Sequence, residues 1–212
     1  GGEVKSQGKI DYDSTVRKVF ENLPYPVNHH LSAGEIKVIN LIGKQSPEIS
    51  RGVDQEGGII GAGDQGFVVA MASNETEDYM PLGMHIAKKI CQYIASQTAL
   101  GFGPDCKSQV ITVYDEKGHA YIDSILVSTM HQGDLDADRK TIETMIRHNR
   151  MGFSDYVLTK YFLCTSNKPK IIVNPNGEWR IGGSVSDCGV TGRKIVVNQF
   201  GGYCPVGGGN LG

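Results

Sequence analysis

A single tryptophan and no wholly apolar run longer than Phe67 to Ala72 occur in these 212 residues, so a transmembrane helix, which needs about 20 consecutive apolar residues, is excluded. The five cysteines (Cys91, Cys106, Cys164, Cys188 and Cys204) form an odd, scattered set without a C-x-x-C pair. That pattern fits reduced thiols in a cytosolic protein, not a zinc site or a secreted framework. An excess of either charge is also missing: 21 Lys and Arg against 23 Asp and Glu leave −2. The global basic excess of a duplex-binding domain is not there, and nucleic acid is not an expected partner. The six histidines show no H-E-x-x-H or other ligand spacing. No serine or cysteine stands in a nucleophile elbow, so covalent catalysis lacks support. Asn74-Glu75-Thr76 spells a glycosylation acceptor but has no meaning without a secretory signal.

Glycine, in contrast, is abundant: 28 residues, about 13% of the chain where about 7% is ordinary. It is clustered at Gly57-Gly58, Gly61-Ala62-Gly63, Gly182-Gly183, Gly201-Gly202 and Gly207-Gly208-Gly209, which implies tight turns or backbone close to a ligand. The length suffices for one ordinary domain or two small ones with their own core. The chain opens Gly1-Gly2-Glu3-Val4 without an initiator Met and stops at Gly212 after a glycine cluster, and is expected to be cut from something longer.

Residues 4–11 read as a strand, followed by a helix capped by Asp13 and running to about Leu23, with Val16, Val19, Phe20 and Leu23 on one face. Pro24-Tyr25-Pro26 breaks it. Ile36 to Ile42 reads as a short strand, and the polar stretch from Lys44 to Gly63 as a lid or mobile loop. A strand is expected at Phe67 to Ser73, and a helix from about Met80 to Ala99 with Leu82, Ile86, Ile90, Tyr93 and Ile94 along one stripe. Asp115-Glu116-Lys117-Gly118 predicts a hairpin between strands near 107–114 and 119–129. A helix at 135–149 and strands at Lys170 to Val173 and Ile195 to Asn198 complete an α+β pattern of hairpin strands interleaved with helices.

Gly61-Ala62-Gly63-Asp64-Gln65-Gly66 matches G-x-G-x-x-G. A dinucleotide fingerprint must follow a strand and open a helix, whereas here a loop precedes and a β-rich run follows. The motif is a structural turn or a ligand loop, and Asp64 among the glycines favours the second. A Walker loop fails too, since Gly192-Arg193-Lys194 lacks the earlier glycine. Asp105-Cys106-Lys107 and the segment Asp187-Cys188-Gly189-Val190-Thr191-Gly192-Arg193-Lys194 combine acids and cations around glycine. Such groups suit a polyphosphate nucleotide, the cations meeting phosphate oxygens. Trp179, beside the turn Asn176-Gly177, is either packing or a stacking platform.

These residues resemble a known family. Gly61-Ala62-Gly63-Asp64-Gln65-Gly66 is similar to the first signature of S-adenosylmethionine synthetases, and Gly207-Gly208-Gly209-Asn210 to the opening of their second. Supporting stretches are Ile42-Gly43-Lys44-Gln45-Ser46-Pro47-Glu48-Ile49, Ser73-Asn74-Glu75-Thr76, Pro104-Asp105-Cys106-Lys107-Ser108-Gln109 and Thr191-Gly192-Arg193-Lys194-Ile195. The resemblance implies similar α+β domains with mixed or antiparallel sheets packed by helices, in a cytoplasmic homodimer or dimer of dimers with shared active sites. It implies transfer of the adenosyl group of ATP to the sulfur of L-methionine. Tripolyphosphate is then cleaved to pyrophosphate and phosphate, with Mg²⁺ and K⁺ assisting.

By the same resemblance Glu3, Gln45, Asp64 and Asp187 would meet methionine. Asp105, Lys107, Glu178, Trp179, Asp187, Arg193, Lys194 and Asn210 would meet ATP, with Lys107, Arg193 and Lys194 as the catalytic cations. No metal ligand is expected within the chain. Residues 1–44 would be the remainder of the N-terminal family segment and 45–63 the mobile active-site loop. The central domain would span 64–174, and 175–212 would begin the C-terminal segment. Glu178-Trp179 stands where Arg-Phe is usual, keeping an aromatic but inverting a charge, and Leu211 stands where Phe is common. The family's Gly-His-Pro-Asp motif and the lysines and aspartate of its second signature are not among these residues. A chain without them is expected to lose many orders of magnitude in rate, each comparable electrostatic contact being worth roughly 10²–10³. Such a chain could instead serve as a nucleotide-binding, structural or regulatory partner of a complete subunit.

Overall fold

The computed structural model describes residues 1–25, 31–154, 157, 168–190 and 192–207. The chain divides into two units, one formed by Gly1–Leu23 and Leu31–Val68 with Gly207, the other by Val69–Val206 with Pro24 and Tyr25.

The first unit is built from short pieces. Strand β1 (Gly2–Val4) pairs in parallel with β2 (Ile42–Lys44), Glu3 opposite Gly43. Of the strand expected over 4–11 only Val4 belongs to β1: the partner ends at Lys44, and Lys5 instead reaches the Asp54 carboxylate. Helix α1 (Tyr12–Glu21) is capped by Asp11, which accepts from the Ser14 N–H at 3.1 Å. Asp13, expected as the cap, lies inside the first turn and pairs with Arg17 one turn on, at 2.7 Å. Of the strand expected at 36–42 only Ile42 lies in a strand, the first residue of β2, and Ile39 and Leu41 are exposed.

The polar stretch that reads as an unpatterned loop contains helix α2 (Pro47–Val53). Its start is marked in the sequence: Ser46 caps it by accepting from Ile49 N–H, and Pro47 occupies the first turn, where a missing N–H costs nothing. The loop after it folds back through the Gly61 N–H, which donates to the Val53 carbonyl at 2.7 Å. A Cβ on Gly61 would stand 2.5 Å from the Gly52 carbonyl oxygen, so glycine is required there for close approach. No described side chain of this unit is buried. The strand expected at Phe67 to Ser73 does not form, and Phe67 and Val68 are 68% and 87% exposed. Apolar β-branched residues make a strand only where a neighbour completes the ladder, and none does so here among the described residues.

The second unit carries the core. Strands β3 (Phe102–Tyr114) and β4 (Ala120–His131) form an antiparallel hairpin, and β5 (Lys170–Val173) adds to β4 in parallel, Val127 opposite Val173. The hairpin turn is the expected one: Asp115 accepts from the Lys117 and His119 N–H groups, and Gly118 takes φ +79°. Helix α3 (Leu82–Ser96) lays Leu82, Ile86, Ile90 and Ile94 against the sheet. Helix α4 (Leu135–Arg147), capped by Asp134, adds Ile142, Met145 and Ile146 to the same cluster. The α3 N-terminus has no side-chain cap from Pro81. Glu75 Oε2 accepts from the Leu82 N–H at 2.9 Å, placing a carboxylate at the positive end of the helix. Short helical turns follow at Gly183–Ser186 and Ile195–Asn198. The second of these replaces an expected strand: the Asn198 N–H turns back to the Lys194 carbonyl, and Val196 and Val197 face solvent. Helices packed on a mixed sheet give the α+β class read from the pattern. No helix among the described residues is long and apolar enough to cross a membrane.

Candidate functional site

In the first unit the parallel β1–β2 pair brings two expected ligand residues together. Glu3 on β1 accepts through Oε2 from the Ser46 N–H at 3.0 Å, and the Gln45 N–H donates to the Val4 carbonyl at 3.1 Å. Glu3 is exposed and Gln45 half-buried, its Oε1 accepting from the Ser50 hydroxyl. Asp64 lies beyond α2 in the glycine-rich segment, exposed, with Oδ1 taking the Gln65 N–H at 2.7 Å. No hydrogen bond among the described residues joins Asp64 to Glu3 or Gln45.

In the second unit Asp105, Lys107 and Trp179 assemble around the start of β3. Asp105 is held from both sides: the Tyr25 hydroxyl donates to Oδ1 at 2.9 Å, and the Gly183 N–H donates to Oδ2. Gly183 takes φ +61°, and a Cβ there would stand 2.9 Å from the Tyr25 ring. Glycine is needed for both the turn and the approach. Burial, and then the Asp105 carboxylate, push the Tyr25 phenol up to about 12. Lys107 points out from β3 with Nζ 5.6 Å from the Trp179 ring centroid, a cation–aromatic contact.

Trp179 is fixed at three points. Its carbonyl accepts from the His131 N–H at 2.9 Å, its indole Nε1–H donates to the Ile181 carbonyl at 2.9 Å, and the next residue's guanidinium reaches the Gly133 carbonyl. Glu178 is committed to that guanidinium: Arg180 Nη2 meets its carboxylate at 2.7 Å and lowers its pKa. Arg180 therefore neutralises the Glu178 carboxylate locally.

Asp187, Arg193 and Lys194 lie farther along the unit, all exposed. Asp187 Oδ1 accepts from the Cys188 N–H at 2.8 Å, and Lys194 stands just before the turn at Ile195–Asn198. No hydrogen bond or ion pair among the described residues joins these three to Asp105 or Lys107. Asn210 falls outside the described residues. Two shallow surface hollows, on α1 around Thr15 and Asn22 and on α4 around Lys140 and Thr144, include no expected site residue.

Sequence reasoning misses three contributors. Tyr25 lies 80 positions from Asp105, and no local pattern announces such a partner. Gly183 stands out in the sequence only as one glycine of a cluster. His131, without any ligand spacing to mark it, is fully buried, its Nδ1 on Asp138 Oδ2 at 2.8 Å and its Nε2 without a partner. An Asp seven residues after a strand-end His is the available signal.

Comparison with known proteins places these elements. A family model described as S-adenosylmethionine synthetase, central domain, matches residues 59–179, and one described as the C-terminal domain of the same enzyme matches 181–212. An S-adenosylmethionine synthase of Helicobacter pylori (strain J99) is 36% identical over 213 aligned positions, spanning 98% of this chain and 54% of its own. That of Wolinella succinogenes is 37% identical over 219, spanning 98% and 53%. A solved structure described as an unusual S-adenosylmethionine synthetase from Campylobacter jejuni superposes with a TM-score of 0.78 at 30% identity, covering 99% of this chain and 54% of that one. The chain spans about half the length of the curated relatives it matches.

Proposed function

The chain belongs to the S-adenosylmethionine synthetase family, and from that premise we propose that it serves the transfer of the adenosyl group of ATP to the sulfur of L-methionine. The sulfur lone pair attacks the 5′ carbon, the C–O bond to the triphosphate breaks, and tripolyphosphate leaves, to be hydrolysed to pyrophosphate and phosphate. A thioether is already a neutral nucleophile and needs no general base, so rate must come from alignment and from neutralising the leaving group. Lys107, Arg193 and Lys194 would meet the phosphates and Trp179 would stack the adenine. Asp105, Asp187, Glu178 and Asn210 would complete the nucleotide contacts. Glu3, Gln45, Asp64 and Asp187 would receive methionine, carboxylates answering its ammonium group.

The observation that carries this reading is the Lys107 ammonium over the Trp179 face beside a fully hydrogen-bonded Asp105. Cation, aromatic plane and oriented acid are what a nucleoside triphosphate requires. Mg²⁺ and K⁺ belong to the proposal as family cofactors. Among the described residues no three His, Cys, Asp or Glu side chains converge on a metal position, and no step of the transfer is assigned to a metal held by this chain. Residues 45–63 are proposed as the active-site cover, between an N-terminal segment at 1–44 and a central domain at 64–174 that gives way to a C-terminal segment at 175–212. A cytoplasmic homodimer or dimer of dimers is the proposed setting.

The second reading is a nucleotide-binding, structural or regulatory partner of a complete subunit. Mass spectrometry after incubation of the 212-residue protein with ATP, methionine, Mg²⁺ and K⁺ separates the two. The first predicts S-adenosylmethionine accumulating in proportion to protein. Folded protein that binds ATP and yields no product supports the second.

A further inference from the structure

Residues 178–181 are tied to the end of β4 from three consecutive positions. The His131 N–H donates to the Trp179 carbonyl at 2.9 Å, and the Gln132 side-chain Nε2 donates to the Arg180 carbonyl at 3.1 Å. Arg180 Nη1 in turn donates to the Gly133 carbonyl at 2.7 Å. The first two ties hold neighbouring backbone carbonyls, and two points define a line about which the segment can still turn. The third lies off that line, at the end of a long side chain, and stops the turn. The indole's own bond, Nε1–H to the Ile181 carbonyl, stays within the segment and moves with it. Arg180 is therefore the tie that decides which way the Trp179 ring faces.

Its anchor is firm. Gly133 packs so closely on Asp138 that a Cβ there would stand 2.8 Å from both carboxylate oxygens, and Asp138 is itself held by the buried His131 ring at 2.8 Å. The Gln132 N–H is held by the Gly101 carbonyl at 3.0 Å. On its other edge the guanidinium meets both oxygens of Glu178, Nη2 at 2.7 Å and Nε at 3.3 Å, so each of its three nitrogens is engaged. Glu178 and Arg180 thus meet on one side of the segment, and Trp179 between them presents its ring to Lys107. The Glu178 side chain is 56% exposed, and an ion pair so open to water adds little stability. What a planar, fully used fork supplies is geometry.

We propose that Arg180 is the positioning residue of the stacking face, fixing the Trp179 plane beside Lys107 so that a purine base and its phosphates are received in one arrangement. This role rests on the proposed nucleotide site; the orientation of the ring does not. Arg180 acts through Trp179, so its loss costs what the base contributes and spares what the phosphates contribute. Loss of Lys107 weakens any ligand that carries the phosphates, with or without a base.

Affinities for ATP and for inorganic tripolyphosphate, which carries the charge without the base, are measured by calorimetry on the parent, Arg180→Lys, Arg180→Ala and Lys107→Ala, with circular dichroism confirming the fold. Arg180→Lys keeps the local charge but has no planar fork, so it introduces no repulsion of phosphate. ATP affinity is expected to fall about fivefold in Arg180→Lys and about tenfold in Arg180→Ala, the order of one lost base-stacking contact. Tripolyphosphate affinity in Arg180→Lys should stay within about twofold of the parent, whereas Lys107→Ala weakens both ligands. Without ligand, acrylamide is expected to quench Trp179 emission more steeply in both Arg180 variants than in the parent. ATP affinity unchanged in both Arg180 variants overturns the proposal, and so does an equal loss for ATP and tripolyphosphate in Arg180→Lys. A parent that binds neither ligand contradicts the nucleotide site itself. The quenching comparison then decides the ring's orientation alone, and unchanged quenching shows that Arg180 does not hold it.

Discussion

Asp105 is where three distant stretches of the second unit converge: β3 supplies the carboxylate, and Tyr25 and Gly183 each donate to one oxygen. Tyr25→Phe leaves Oδ1 without that donor inside a part-buried pocket, and is expected to cost about 1 kcal/mol, read as a lower urea midpoint with unchanged slope. The same bond predicts a pH dependence. The folded state holds the phenol proton up to about 12, above the ordinary tyrosine value of about 10. The stabilisation is therefore complete below about pH 10 and is lost as pH rises toward 12. Tyrosinate absorbance should show one fewer late-titrating residue in Tyr25→Phe than in the parent; an identical titration contradicts the assignment. Asp105 itself is legible from the sequence, because an acid and a cation flanking a cysteine before a strand mark a polar site. Its two anchors are not, since a hydrogen bond across 80 positions is set by the fold and leaves no local trace.

At the scale of elements, α3 is the best-specified piece, and its stripe of Leu82, Ile86, Ile90 and Ile94 is wholly buried. Ile90→Ala should cost about 2–5 kcal/mol, because it removes packed methyl groups from a site walled by sheet and helix. A thermal or urea melt that moves by less than about 1 kcal/mol would show that the stripe repacks freely. Elements buried by long apolar faces, α3, α4 and the β3–β4 hairpin, are readable because periodicity reports burial directly. Those that fail are the ones burial does not explain. Phe67 to Ser73 and Ile195 to Asn198 have strand composition, yet expose Phe67, Val68, Val196 and Val197. Strand propensity acts only through a neighbouring strand, which composition cannot supply. In α2 the opposite holds. Ser46 and Pro47 announce a helix start, but the stretch that follows, mixed with Arg51, Gly52 and Asp54, lacks the apolar period that would make it persuasive.

For the whole molecule, ligand-type residues are shared between two units of different character, one with no buried side chain among its described residues and one with a continuous core. The nucleotide-type group, Asp105, Lys107 and Trp179, sits on the unit with the core, where a rigid sheet holds the groups that must be aligned. The proposed function stands or falls on that group receiving ATP. Trp179 is the only tryptophan, so its fluorescence reports on the proposed stacking face without labelling. The measurement is a titration of its emission with ATP in the parent protein and in Lys107→Ala. A saturable change is expected in the parent, and in the variant an affinity reduced about tenfold, the loss of one charge-assisted phosphate contact. Emission that ignores ATP, or responds to it equally with and without Lys107, would contradict a nucleotide site at this group.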